Sequence, residues 1–471
     1  MTSALALPSI IQGGMGVGVS SWRLANAVAR RGYLGVVSGT AVETLLVRRL
    51  QDGDEGGRMR RAMAQCPLPE VATEVLRKFY RPAGRPPGTP YRMLPMYRQN
   101  VSRARERITV LANFVEVWLA REGHTGPVGV NLLTKVQLPN LAALYGAMLA
   151  GVSYVLMGAG IPREIPGVLD AFAEGRAASL RLDVDGLRAG REERITFDPA
   201  DYLDPPPSLR RPAFLAIIAS NSLATMLARK ASGRVDGFVV EGPTAGGHNA
   251  PPRGAAPLNE RGEPVYGERD VVDLPKLREL GVPFWLAGGT GSPGALRAAR
   301  AAGAAGIQVG TLFAYTDESG LTEALKRSVL EHAARGEIEI FTDPRASPTG
   351  YPFKVVKWPA DPAAAREPRT RVCDIGALRV PYEQPDGRIG YRCPAEPVEA
   401  YVQKGGKLED TVGRHCLCNA LVANVGHAQV RDDGRIEPVL LTSGDHLTSL
   451  KEFLRDRSSY TADAVLDYLE G

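Results

Sequence analysis

The residues with the clearest chemical potential lie in the run Val239-Val240-Glu241-Gly242-Pro243-Thr244-Ala245-Gly246-Gly247-His248-Asn249. Phe238, Val239 and Val240 read as a short buried strand, and the small residues after them cannot continue it. Gly246 and Gly247 carry no Cβ, so their backbone can lie close against a flat ligand. His248 falls at the strand's C-terminal end, where a parallel α/β protein gathers its ligand. An imidazole there is suited to exchanging protons near neutral pH. A glycine-rich loop ending in a solvated histidine has the same sequence, so neighbouring loops must decide.

Two of them point to a phosphate. Ala287-Gly288-Gly289-Thr290-Gly291 and Gly310-Thr311 each follow a short apolar run. Gly288, Gly289 and Gly310 would let backbone amides approach a phosphate, and Thr290 or Thr311 would add a hydroxyl. Pro293 marks a first helical turn whose dipole points at the same place. A third loop, Gly13-Gly14-Met15-Gly16, offers a close backbone and the soft side chain of Met15 to an aromatic ring. Asn131 presents a donor and an acceptor to a pyrimidine-like edge. Met15 as core filler and Asn131 as a strand-end cap are the plain alternatives. Taken with two phosphate-type loops, the set suits a flavin mononucleotide, FMN.

The elements that must position these loops alternate between short β-rich runs and helical stretches from Pro8 to about Leu330. Strands are expected at Ser9 to Gln12, Leu34 to Val37, Val128 to Leu132, Tyr154 to Met157, Phe214 to Ala219, Gly237 to Glu241, Phe284 to Ala287 and Ile307 to Val309. Eight such units with Gly-rich loops after many strands predict an α/β fold, a (β/α)₈ TIM barrel. A doubly wound open sheet would concentrate its Gly loop after the first strand. Gln51 to about Asn100, with Arg81-Pro82-Ala83-Gly84-Arg85-Pro86-Pro87-Gly88, reads as a partly irregular insertion at the barrel rim, and Val101 to Arg121 as a long amphipathic helix. Ser179 to Val184 and Glu193 to Phe197 read as a β-hairpin inserted within about 178–212. The division expected is a barrel over 1–335 and a Cys-containing C-terminal extension over 336–471 packed on it.

Composition narrows the class. At 471 residues, 44% hydrophobic and 23% charged, the chain can bury the core of a large soluble domain. The 57 basic and 52 acidic residues leave a net charge of +5 spread along the sequence. No dense basic stripe with aromatics stands out, which argues against nucleic acid as a partner. No run of about 18 apolar residues is present, so no membrane span is expected, and the N-terminus lacks a signal-peptide pattern. Five cysteines in so long a chain do not form a secreted disulfide framework, and a cytoplasmic location is expected.

Four of those cysteines, Cys373, Cys393, Cys416 and Cys418, crowd the last quarter of the chain. Four thiolates can hold zinc or an iron–sulfur cluster, with His415 as a substitute ligand. Their spacing matches no C-x-x-C pair, which equally fits buried thiols without a ligand. Cys66 reads as structural. His124 falls in a helix-end loop and His332 on a surface helix, while His427 and His446 read as solvated or capping residues.

The phrases Ile10-Ile11-Gln12-Gly13-Gly14-Met15, Thr244-Ala245-Gly246-Gly247-His248, Ala287-Gly288-Gly289 and Ile307-Gln308-Val309-Gly310-Thr311 resemble the motifs of the nitronate monooxygenase family, formerly called 2-nitropropane dioxygenases. The resemblance covers about residues 8–335. It implies FMN with its phosphate against Gly288, Gly289, Gly310 and Thr311 and its ring near Gly14, Met15 and Asn131, close to Gly246 and Gly247. It also implies that His248 is the active-site histidine. The family usually has a glutamate at the position of Thr244. In layout, Gly14-Met15-Gly16-Val17-Gly18 with Trp22-Arg23-Leu24-Ala25, and Ser347-Pro348-Thr349-Gly350-Tyr351-Pro352-Phe353-Lys354, resemble the trans-acting enoyl reductases of polyketide and polyunsaturated fatty acid synthases.

The expected activity is therefore that of an FMN-dependent oxidoreductase oxidising alkyl nitronates with O2. The alternative is an NADPH- and FMN-dependent reductase of enoyl thioesters, and a further one is a flavin-retaining, non-catalytic partner protein. The substrate is a small molecule or an acyl thioester, and a second copy of the chain or a synthase is the protein partner admitted.

Overall fold

A computed structural model describes residues 7–471 except 256, 362–369 and 456. The chain opens with four parallel strands, β1 (Ile10–Gln12), β2 (Leu34–Ser38), β3 (Val128–Leu133) and β4 (Tyr154–Gly158). An antiparallel pair follows, β5 (Ala178–Leu182) and β6 (Glu193–Phe197). Four more parallel strands complete the set: β7 (Ala213–Ile218), β8 (Gly237–Glu241), β9 (Phe284–Ala287) and β10 (Gly306–Val309). In the order β1-β2-β3-β4-β7-β8-β9-β10 they close into a barrel, with Ile10 of β1 opposite Ile307 of β10. The eight expected strands are all present, each boundary within one residue, and β5–β6 is the expected hairpin.

Two hydrophobic sets close the barrel. Ile11, Leu34, Val36, Tyr154, Leu156, Leu215, Val239 and Trp285 fill its interior. Their alternate neighbours Val37, Val155, Met157, Phe238 and Val240 pack outward into the helical layer. Burying each such side chain contributes roughly 1.5–3 kcal/mol. Helix and strand meet closely: a Cβ on Gly35 would lie 2.0 Å from the carbonyl oxygen of Ala25.

The insertion is more ordered than its Pro and Arg content suggests. Helices Arg58–Met63 and Pro69–Phe79 pack Met59, Met63, Val71, Val75 and Phe79 into the main core, near helix Arg103–Arg121. Val71, Val75 and Phe79 recur at four-residue spacing, and Pro69 opens the first turn, so a helical stripe was present in the sequence. Residues 80–102 are irregular apart from turns.

After the barrel come two antiparallel pairs, β11 (Glu339–Asp343) with β12 (Phe353–Lys357), and β13 (Val380–Glu383) with β14 (Ile389–Arg392). Phe353 of β12 bridges to His248. The last helix, Ala462–Glu470, buries Val465, Leu466 and Leu469, and Arg31 of the barrel reaches Asp463 at 3.2 Å and Asp467 at 2.8 Å. Among the described residues no helix is long and apolar enough to cross a membrane.

Candidate functional site

One cavity of about 260 Å³ opens at the C-terminal ends of the barrel strands. Gly14, Met15, Asn131, Gly246, Gly247, His248, Gly288, Gly289, Gly310 and Thr311 all line it. The loops thus converge because each follows a parallel strand of the same ring.

At the end formed by the loops after β9 and β10, the backbone is built to donate. Gly288 and Gly289 are both left-handed, with φ of 88° and 69°, a conformation glycine adopts without strain. Among the described residues the amides of Gly289, Thr290 and Gly291 find no acceptor. Successive unpaired amides in a turn form an anion-binding concavity. Thr290 is not the hydroxyl donor anticipated, because its Oγ1 already donates to the carbonyl of Gln308 at 2.8 Å. Thr311 Oγ1 instead accepts from the amide of Gly444 at 3.1 Å, which leaves its own proton for a ligand.

The same cavity also holds orphan acceptors. Asn131 Oδ1 and Gln308 Oε1 are buried without a partner. Asn131 Nδ2 donates to the carbonyl of Gly14 at 3.2 Å, which aims the oxygen away from it. A buried orphan acceptor costs about 1–3 kcal/mol, so each calls for a ligand N–H. A flavin ring supplies such a donor and a ribityl phosphate needs such amides, so the residues present fit FMN.

Not every glycine serves the ligand. A Cβ on Gly14 would lie 2.3 Å from the Cβ of Asn131, and one on Gly246 would lie 2.7 Å from the amide nitrogen of Gly444. Gly246 is therefore small because the C-terminal segment crosses it, a correction to its expected role against a flat ligand. At Gly247 a Cβ would meet open space, and its φ of 79° is what favours glycine.

His248 is held tightly. Its Nε2 and Ser347 Oγ lie 2.6 Å apart, and Ser347 Oγ lies 2.8 Å from Thr349 Oγ1. The imidazole packs edge-on to Phe353, with centroids 4.9 Å apart, and burial lowers its pKa to about 4. It is a neutral ring at physiological pH, which sets aside the plain alternative of a solvated histidine. Glu241, at the end of β8, also lines the cavity, and burial raises its pKa to about 7. No hydrogen bond or ion pair satisfies its carboxyl among the described residues.

Sequence reasoning passed over several lining residues. Glu241 and Gln308 stood within the quoted motifs as strand-end polar residues, a signal that went unused. Thr442, Ser443, Gly444 and His446 come from the extension and line the cavity too. No local pattern announces them. His446 is thus not a solvated residue. His427 is half-buried, its Nδ1 lying 3.0 Å from Asp52 Oδ2, and His332 is buried with its Nδ1 2.7 Å from the carbonyl of Ser328.

The four C-terminal cysteines gather around a separate small pocket with Pro348, Leu378 and Leu417. None is in a disulfide. Burial raises Cys373 and Cys393 to about 12, so these thiols stay protonated in an apolar setting. Among the described residues no group of histidine, cysteine, aspartate or glutamate is arranged to hold a metal ion. Shared lining of a pocket is a weaker condition than a coordination shell, and the expected zinc or iron–sulfur site at Cys373, Cys393, Cys416 and Cys418 finds no support.

Residues 203–344 match the family model described as nitronate monooxygenase. A protein described as a probable nitronate monooxygenase from Staphylococcus haemolyticus is 34% identical over 98 residues, 20% of this chain and 26% of that protein. The chain thus spans about a quarter of the length of the curated relative it matches. Among solved structures, FabK from Thermotoga maritima is 16% identical with a TM-score of 0.45, covering 98% of this chain and 92% of its own. The enoyl reductase domain of MlnA from the macrolactin biosynthesis cluster of Bacillus amyloliquefaciens is 12% identical with a TM-score of 0.47, covering 98% and 93%. The barrel rests on its own strand order rather than on these likenesses.

Proposed function

We propose that this chain, a member of the nitronate monooxygenase family through residues 203–344, is an FMN-dependent oxidoreductase. Gly288, Gly289, Gly310 and Thr311 would hold the phosphate end of the flavin, and Gly14, Met15 and Asn131 would face its ring, with Gly247 at its side. The observation that carries this reading is the pairing of two features in one cavity: the unpaired amides of the loop after β9, and the orphan acceptors Asn131 Oδ1 and Gln308 Oε1. FMN, when bound, supplies hydride-transfer and one-electron chemistry that no side chain has.

The protein groups favour a neutral substrate. A nitronate anion would want a cation, yet no lysine or arginine is among the described residues lining the cavity, and His248 is held neutral. Glu241 has its proton affinity near neutrality and stands at the same mouth, which suits a carboxyl that hands a proton to carbon. His248, fixed through Ser347, orients a carbonyl or thioester oxygen by hydrogen bonding. These features support reduction of an enoyl thioester: FMN reduced by NADPH would supply the hydride for the β-carbon, and Glu241 would supply the proton for the α-carbon. The family match favours a second reading, oxidation of alkyl nitronates with O2.

One pair of assays on the flavin-loaded protein separates them. Anaerobic NADPH oxidation that requires a crotonyl thioester supports the first reading. Oxygen uptake with an alkyl nitronate, without that reductase activity, overturns it for the second. Turnover of neither overturns both and leaves a flavin-retaining partner protein.

A further inference from the structure

We infer that Thr442–His446, in the C-terminal extension, forms the outer wall of the flavin's phosphate end, and that His446 supplies the positive charge of that site. This rests on the reading of the cavity as an FMN site. A phosphate monoester carries about −1.5 to −2 at neutral pH, and backbone amides supply only partial charges against it. Among the described residues lining the cavity, His248 and His446 are the only side chains able to become cationic. His248 is engaged with Ser347 and Phe353. His446 lies against the loop after β9, where a Cβ built on Gly291 would stand 3.4 Å from its Nε2. That is beside the unpaired amides of Gly289, Thr290 and Gly291.

The segment is fixed to the barrel loops it faces. The amide of Gly247 donates to Thr442 Oγ1 at 2.8 Å, and that of Asp445 donates to the carbonyl of Thr244 at 3.0 Å. Gly444 donates to Thr311 Oγ1, and Asp445 pairs with Lys354 at 2.6 Å. These ties hold the backbone, while the imidazole of His446 makes no hydrogen bond among the described residues. Burial disfavours its charged form and Glu452 favours it. A phosphate dianion beside it would favour the charged form far more strongly. The segment lies beyond residues 203–344, so the family model does not reach it.

The test compares FMN with riboflavin, which shares the ring and ribityl chain but lacks the phosphate. The full-length protein is freed of flavin and titrated with each, following flavin fluorescence. Losing one charge-assisted hydrogen bond should weaken FMN binding by about 10–100-fold in H446Q, with riboflavin affinity unchanged. Should H446Q melt below the wild type, H446N carries the same comparison. Equal weakening of both flavins, or of neither, overturns the role of His446. Failure of the unsubstituted protein to bind either flavin instead overturns the cofactor reading itself.

Discussion

Replacing Glu241 with glutamine tests the site through stability as well as turnover. Glu241 is half-buried at the end of β8 without a compensating partner among the described residues, and desolvation moves its pKa from 4.5 to about 7. The sign follows directly. An unfolded chain ionises this carboxyl near pH 4.5 and the folded chain only near 7, so wild-type stability falls as pH rises through that window and is level above it. At 1.36 kcal/mol per pKa unit, the decline amounts to about 3 kcal/mol. E241Q cannot ionise and escapes it. The flavin-free variant should therefore match the wild type at pH 4.5 and exceed it at pH 8 by at most about 3 kcal/mol. Urea unfolding of both proteins at the two pH values measures the difference. A gap that does not change with pH, or a variant less stable at pH 8, would refute the argument. In turnover the wild type should hold below pH 7 and lose about tenfold per unit above it, whereas E241Q should lose ~10²–10⁴-fold and show no such limb.

His248, held neutral with a pKa of about 4, should leave turnover flat from pH 7 down to about 5; a fall centred near 6.5 would show a readily protonated base instead. Gly289→Val places a branched side chain at a φ of 69°, so the variant should fold by circular dichroism yet lose FMN, and full retention of flavin would move the phosphate elsewhere. Protein purified without added metal should carry neither zinc nor iron in stoichiometric amount, and stoichiometric metal lost on substitution of Cys393 would establish a metal site at the four cysteines.

The barrel was legible because its strands are short apolar runs ending in glycine clusters, and strand-end loops of a parallel ring must share one mouth. Gly288, Gly289, Gly310 and Thr311 could therefore be grouped before any coordinates. The helices of the insertion were obscured by flanking Arg and Pro, although Val71, Val75 and Phe79 kept the helical repeat. The roof of the site was illegible for a deeper reason. Ser347 reaches His248, 99 residues away in the chain, and His446 reaches the cavity, both through long-range packing, and no periodicity encodes such a meeting. The lowered pKa of His248 was illegible on the same ground, since its burial arises from Phe353 of β12 and from Ser347, not from its own loop.

Because Ser347 and the stretch around His446 emerge so late, the mouth of the barrel is assembled in two instalments during synthesis. All eight strands can leave the ribosome while the crossing segment over Gly246 is still unmade. At ~5–20 residues per second, the interval lasts several seconds or more. Through it the loops after β9 and β10 face water with their amides unoccupied, and a flavin arriving then would meet only half its walls. On the flavin reading proposed above, holding the ring would thus be coupled to the synthesis of residues 442–446: a product lacking them would keep the barrel's strands and lack its closure.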